Sequence, residues 1–449
     1  MVRSGLLACC VFFLFSSNSV SAAADDDLAL VYFSRHLQLL AIAKPESKFG
    51  RYAQLLAQSD RQQALSHLDY MVLDVGLYWA KLGVNMPDVH SGQSRLSRVL
   101  SLRPSSREFY WQTAHIAKLL SLAARPWPKI VAPELTPGLS YSVIPQLAER
   151  LFQLGDLEIS PSLTMTHYDD HLRAAVLRFQ RRHGLLADGI VNSATWHWLN
   201  VPPAERARLL ATYYLQRSQY LSSLGSSYIL VNIPAFSLEL VDQGRRRLRS
   251  RVIVGQPEQP TPVMRTEITS AVLHPSWLVP RSYAEQVLLP HFRRDAAFAQ
   301  MLGFYAEDSR GQALSVATHQ WQQRQGKFPY RLVQRPGKRN ALGSAKFLFP
   351  NKRDIALHGT TQRGDFSRSD RALSAGCIRM EQEGELADWL TTTHSAAKRP
   401  LLSELATGQT QSVWLNSSLP LHTVYWTAWM DGPNLAQFRN DIYHLQPLP

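Results

Sequence analysis

The sequence predicts an α+β chain of several domains, helical in its first half and mostly β in its second. Three observations carry this. The length of 449 residues exceeds what one ordinary hydrophobic core serves and points to two to four domains. Up to about residue 220, apolar residues recur at three- and four-residue spacing. From Tyr228 onward the pattern changes to short strands separated by turn residues. A hydrophobic content of 45% is that of a folded globular chain. No internal stretch has the ~18 unbroken apolar residues of a membrane span.

The first 24 residues read as a cleavable secretory signal. Arg3 supplies the positive charge, Leu6 to Phe15 the apolar run, and Val20-Ser21-Ala22 or Ala22-Ala23-Ala24 the small-residue cleavage site. Export to the periplasm is the expectation. Two of the three cysteines, Cys9 and Cys10, lie within the signal, so the mature chain keeps Cys377 with no partner for an internal disulfide. Such a thiol is an intermolecular bridge, an inert buried group or a nucleophile. The net charge of +13 suits an anionic partner. Export directs that expectation to a cell-wall or envelope surface, and no nucleic acid is expected.

Residues 25–130 form the first predicted domain, a helical scaffold with no catalytic pattern, whose envelope-protein partners the residues do not name. Leu28 to Ala43 and Gln62 to Leu82 carry helical periodicity, with Ser59 or Asp60 as a cap and Gly83 as a stop. Pro126, Pro128, Pro133 and Pro137 mark a linker. A small helical unit follows at 141–200, with Ala175, Val176 and Phe179 on one helix face. Gly184 stands at a C′ position and Asp188-Gly189 in a tight turn. Pro202-Pro203 opens a linking helix within 201–226.

Tyr228 to Ile233, Ser237 to Val241 and Leu248 to Val254 read as strands, the last two joined at Gln243-Gly244. Thr266 to Leu273 continues the β pattern. From about 282 to 346 an insertion interrupts it, helical over Tyr283 to Phe298 and polar over His319 to Gly326. Insertions of this kind build lids over grooves. The β domain as a whole spans 227–445.

The chemistry-bearing segment is Ile355-Ala356-Leu357-His358-Gly359, followed by Ser374-Ala375-Gly376-Cys377-Ile378-Arg379. A short apolar strand delivers His358, and Gly376 allows the tight turn that exposes the Cys377 sulfur. Acyl transfer needs a thiolate, and a neighbouring imidazole takes the thiol proton and returns it to the leaving amine. Backbone N–H groups near Gly376 and Cys377 are candidates for holding the oxyanion, with Gly359 and Ser374 orienting the site. Arg379 is a candidate for a substrate carboxylate or for loop support. A lone cysteine with scattered histidines lacks zinc-site spacing, so no metal is expected.

His358-Gly359, a spacer and Ser374-Ala375-Gly376-Cys377-Ile378-Arg379 resemble the signature of the YkuD-type catalytic domain of L,D-transpeptidases. Ala175-Val176, Phe179-Gln180, Gly184-Leu185, Asp188-Gly189, Thr195 and Leu199-Asn200 resemble a three-helix peptidoglycan-binding domain. The order of parts resembles the large Gram-negative branch, with a scaffold, a wall-binding module and a catalytic domain carrying a capping insertion. Val424 to Trp429 and Phe438 to Tyr443 resemble that branch's end. Two positions depart from relatives: Ala375 stands where many have His, and Ala356 where this branch often has Tyr. The resemblance implies a mostly β sandwich with the Cys–His site in a groove. It also implies a 3→3 cross-link between peptidoglycan stem peptides made through a Cys377 thioester, no cofactor, and carbapenem as a covalent inhibitor. Water or a protein lysine as acceptor, and a non-catalytic wall-binding scaffold, are the alternatives.

Overall fold

The computed structural model describes residues 10–84, 93–102, 107–162, 164–314, 328–406 and 408–446. Residues 1–9 of the expected signal, and the polar stretch His319 to Gly326, lie outside the described residues. Among the described residues no helix is long and apolar enough to cross a membrane. The chain divides into two compact units, Met1–Leu224 with Trp426–Asn440, and Gly225–Tyr425 with Asp441–Pro449.

The first unit is helical: α1 (Cys10–Ala43), α2 (Lys48–Gln58), α3 (Arg61–Lys81), α4 (Arg95–Ser101), α5 (Arg107–Ala123), α6 (Ile144–Leu154), α7 (Asp170–Arg182), α8 (Ser193–Asn200) and α9 (Pro203–Ser222). Sequence chemistry sets the boundaries. Asp60 caps α3 by accepting from Gln63 N (2.9 Å), while its own N–H donates to the Gln63 side chain (3.2 Å). The Phe179-Gln180 and Asp188-Gly189 pairs have a shared explanation. Gln180 accepts from Gly189 N (3.0 Å) and donates to Ile190 O (2.8 Å), so one buried amide closes the turn between α7 and α8.

The tail corrects the expectation that the β domain runs unbroken to 445. Trp426–Asn440 belongs to the first unit, as a hairpin of strands Ala428–Met430 and Ala436–Phe438. Phe438 stacks on His183 at 5.4 Å, and Trp198 Nε1 donates to Asn440 Oδ1 at 2.7 Å. Burying Phe438 and satisfying the Trp198 N–H accounts for that placement. In the same unit α9 packs along α5 and α1.

The second unit is built on β1 (Tyr228–Asn232), β2 (Ser237–Asp242), β3 (Arg245–Gly255), β4 (Met264–Leu273), β5 (Trp277–Leu278), β6 (Phe304–Glu307), β7 (Ala313–Leu314), β8 (Arg331–Gln334), β9 (Ala345–Leu348), β10 (Leu357–His358), β11 (Ala372–Ser374), β12 (Ile378–Met380) and β13 (Gln411–Val424). Nine of these form one sheet in the order β11-β3-β12-β10-β9-β4-β13-β1-β2. The sheet is mixed, with β1–β13 and β10–β12 parallel and β4–β13 antiparallel.

It is a single closed sheet and not the sandwich that the resemblance implied, because β3 does two jobs. Its first half pairs with β2 and its last residues pair with β12 and β11, which joins the two ends of the sheet. Val252, Val254, Phe347, Leu357, Ile378 and Met380 fill the enclosed core, and Leu386 and Leu390 of helix Glu383–Thr393 pack into it.

The insertion is a folded layer with a core of its own, and it begins at Trp277. Strands run β5-β8-β6-β7, beside helical turns from Arg281 to Met301 with π-helical geometry at Ala284–Leu288. Val279, Leu289, Phe292, Phe304, Phe328 and Leu332 are buried together. Ala345 and Lys346, expected at the insertion's end, are already part of the main sheet in β9.

Gly343 shows how tightly β9 is held against the end of β10. Its φ is +69°, and a Cβ there would stand 2.6 Å from Thr360 N and 2.7 Å from Gly359 C. Both obstacles are backbone, so neither can rotate away. Gly343→Ala is predicted to destabilise the β unit by about 2–4 kcal/mol. Chemical denaturation followed by fluorescence checks this, and an unchanged midpoint would contradict it.

Candidate active site

Strand pairing brings His358 and Cys377 together. β10 and β12 run parallel, with Leu357 opposite Ile378 and His358 opposite Arg379. Ile378 N donates to Ala356 O at 3.0 Å, which fixes Cys377 at the entrance of β12. Leu357 and Ile378 point into the core. Alternation then turns His358 and Cys377 to the other face, on neighbouring strands.

That face forms the floor of a cavity of about 720 Å³. Cys377 and His358 line it from the sheet, and Trp277, Arg281, Tyr330 and Arg331 line it from the inserted layer. The insertion therefore walls the site. Cys377 is a free thiol of intermediate exposure, and His358 is 5% exposed.

The imidazole is oriented by backbone. His358 Nδ1 lies 2.6 Å from Gly359 O, so this nitrogen carries the proton and donates, leaving Nε2 as the basic nitrogen. None of Asp354, Asp365 and Asp370, the carboxylates close by in sequence, takes that role. Gly359 itself donates to Ala345 O (3.0 Å), and a side chain there would strike the buried Glu383 carboxylate. Burial pushes the His358 pKa down to about 4, against the pull of the Gly359 hydrogen bond; the charges of Arg379 and Lys346, on the two flanking strands, push the same way as burial.

The nucleophile turn is equally constrained. Gly376 has φ +107°, which a side chain disfavours. Ser374 Oγ donates to Cys377 O (2.6 Å) and accepts from Gly376 N (3.2 Å). Thr261 Oγ1 donates to Gly376 O (2.8 Å) and accepts from Gly255 N (2.9 Å). Tyr443 OH donates to Gly255 O (2.5 Å) and accepts from Thr261 N (3.2 Å). Three hydroxyls thus pin the turn.

This corrects part of the oxyanion expectation. The N–H groups of Gly376 and Gly359 are both engaged, so those residues shape the site and do not donate into it. Among the described residues, the Cys377 N–H has no acceptor in the turn.

Two roles were open for Arg379, binding a substrate carboxylate or supporting the loop. It stands beside His358 in register, but its Nη1 donates to Gln362 Oε1 (2.7 Å) and it does not line the cavity. Thr261, Tyr443 and Lys346 had not been singled out. None of the three has a local signal that links it to the motif.

Comparison with known proteins agrees with this geometry. Residues 226–401 match the family model YkuD, described as the L,D-transpeptidase catalytic domain, and residues 141–199 match a model described as "Putative peptidoglycan binding domain". The second unit carries a YkuD L,D-transpeptidase domain.

A relative from Haemophilus influenzae, named "Putative L,D-transpeptidase", is 35% identical over 215 residues, 48% of this chain. The chain spans 44% of that relative's length. The Ldtfm–avibactam carbamoyl enzyme aligns at 11% identity over 45% of this chain and 49% of its own, with a TM-score of 0.23. An L,D-transpeptidase fragment from Xylanimonas cellulosilytica aligns at 13% identity over 67% of this chain and 100% of its own, with a TM-score of 0.21. At these scores the two structural likenesses carry no argument.

The transpeptidase domain makes one direct electrostatic prediction. Depressed to about 4, the His358 imidazole is neutral above that pH and available as a base through the neutral range. An unfolded histidine titrates near ~6.5. The stability that neutral His358 contributes is therefore complete above ~6.5 and is lost as pH falls from there toward 4. NMR titration of the His358 ring in Cys377→Ala protein, which uncouples the pair, should give a midpoint well below ~6.5. A midpoint at or above ~6.5 would contradict the burial argument.

Proposed function

We propose that the protein is an exported L,D-transpeptidase of the periplasm that joins peptidoglycan stem peptides through a Cys377 thioester. The observation that carries this is the free Cys377 thiol and the backbone-oriented His358, on adjacent parallel strands and facing one cavity. In the reaction, His358 Nε2 takes the thiol proton. Cys377 Sγ attacks the carbonyl carbon of the third residue of a tetrapeptide stem, a diaminopimelate. The oxyanion that forms accepts from the Cys377 N–H. The C–N bond breaks, the imidazolium gives its proton to the departing D-alanine amine, and a thioester remains.

The side-chain amine of a second stem then attacks the thioester. It loses a proton to His358, the C–S bond breaks, and the proton returns to sulfur. The product is a 3→3 cross-link, and every step uses groups of the chain and its two substrates. Water or a protein lysine in place of the second amine gives hydrolysis or protein attachment at the same site. The peptidoglycan-binding-type region at 141–199 supports the reading that the polymer itself is the substrate.

Cys377→Ala is predicted to abolish 3→3 product, and His358→Gln to lower its rate by ~10²-fold or more, both with unchanged folding. Mass spectrometry of muropeptides formed by purified protein measures both. Substantial cross-linked product from Cys377→Ala would overturn the mechanism. Wild-type protein incubated with a carbapenem should gain one covalent adduct at Cys377. Intact-mass spectra without an adduct would count against the reading.

A further inference from the structure

The cavity contains a cation that the proposed chemistry does not use. Lys346 lies on β9, opposite His358 in register. Ala345 and Phe347 on either side of it are buried, so alternation turns Lys346 to the cavity face, and it lines the cavity. The other cations of the wall are already paired. Arg281 holds Glu285 at 2.9 Å and Arg331 holds Glu307 at 2.7 Å.

Among the described residues no carboxylate lies within ion-pair distance of Lys346. Asp354, the carboxylate among the lining residues, is exposed and likewise in no ion pair. A half-buried ammonium on the same cavity as the thiol, with no anion among the described residues to neutralise it, is a site built for an anion that arrives with the substrate.

We propose that Lys346 is the carboxylate-binding residue of the acyl-donor site, a role the sequence had suggested for Arg379. The proposal rests on the transpeptidase reading and specifies which donors it accepts. Strand spacing sets the scale. Cys377 at the entrance of β12, His358 on β10 and Lys346 on β9 belong to three successive strands, so β12 and β9 are about 10 Å apart.

A lysine ammonium reaches ~6 Å from its Cα. A donor whose carbonyl sits at Sγ therefore has two carboxylates within range. One is the terminal carboxylate of the leaving residue, ~4 Å from that carbonyl. The other ends the diaminopimelate side chain, ~7 Å away. Both are the same ligand chemistry, and amidating each in turn distinguishes them.

The experiment compares wild-type protein with Lys346→Gln and Lys346→Arg on three synthetic tetrapeptide stems: the free acid, the side-chain amide and the C-terminal amide. Release of the terminal residue is the readout. On the free acid, Lys346→Gln should raise KM ~10-fold or more while kcat changes only a few-fold, and Lys346→Arg should recover most of the loss. One of the two amides should turn over poorly on wild type and be indifferent to Lys346→Gln, which names the carboxylate. Equal losses on all three stems, or none, would overturn the proposal while leaving the transpeptidase reading intact. No release from any stem by wild-type protein would sink that reading and the subsite with it.

Discussion

The two-residue parallel pairing of β10 with β12 is the constraint on which the site depends. It sets His358 one strand away from Cys377 and turns both side chains off the core. The pairing is too short to hold itself. It is held because β3 closes the sheet around it, and because Leu357, Ile378 and Phe347 lose all exposure beneath it. Apolar burial thus fixes the geometry of two polar groups that contribute little to stability themselves.

Around that pairing the structure withdraws freedom from both reacting groups. Gly359 O chooses the imidazole tautomer, and Ser374, Thr261 and Tyr443 hold the turn that carries the sulfur. The inserted layer walls the same face and sets paired cations around it, and among the described residues Lys346 has no ion-pair partner. Burial keeps His358 neutral, and so unprotonated, through the neutral pH range.

Much of this was legible because the relevant signals are local. The cap at Asp60, Gly184 after α7 and the Gln243-Gly244 hairpin are short-range chemistry, and the structure uses each. His358-Gly359 and Ser374 to Arg379 concentrate the site into two short segments. What escaped is long-range. The closed sheet depends on β3 pairing at both ends, and the tail's place depends on aromatic burial against α7 and α8. β5 is two residues long, too short for any periodicity to show. The partner of Arg379, Gln362 seventeen positions earlier, is invisible until the strands are paired.

The central claim is that the Cys377 sulfur becomes acylated by a stem peptide with His358 as the proton acceptor. Rapid acid quenching of the wild-type protein with a tetrapeptide stem, followed by peptide mapping, tests it most directly. The account predicts a tripeptidyl mass on the peptide containing Cys377, formed together with free D-alanine and depleted when an amine acceptor is added. Turnover of the stem with no acyl mass on Cys377 at any quench time, and with full rate retained by Cys377→Ala, would contradict it.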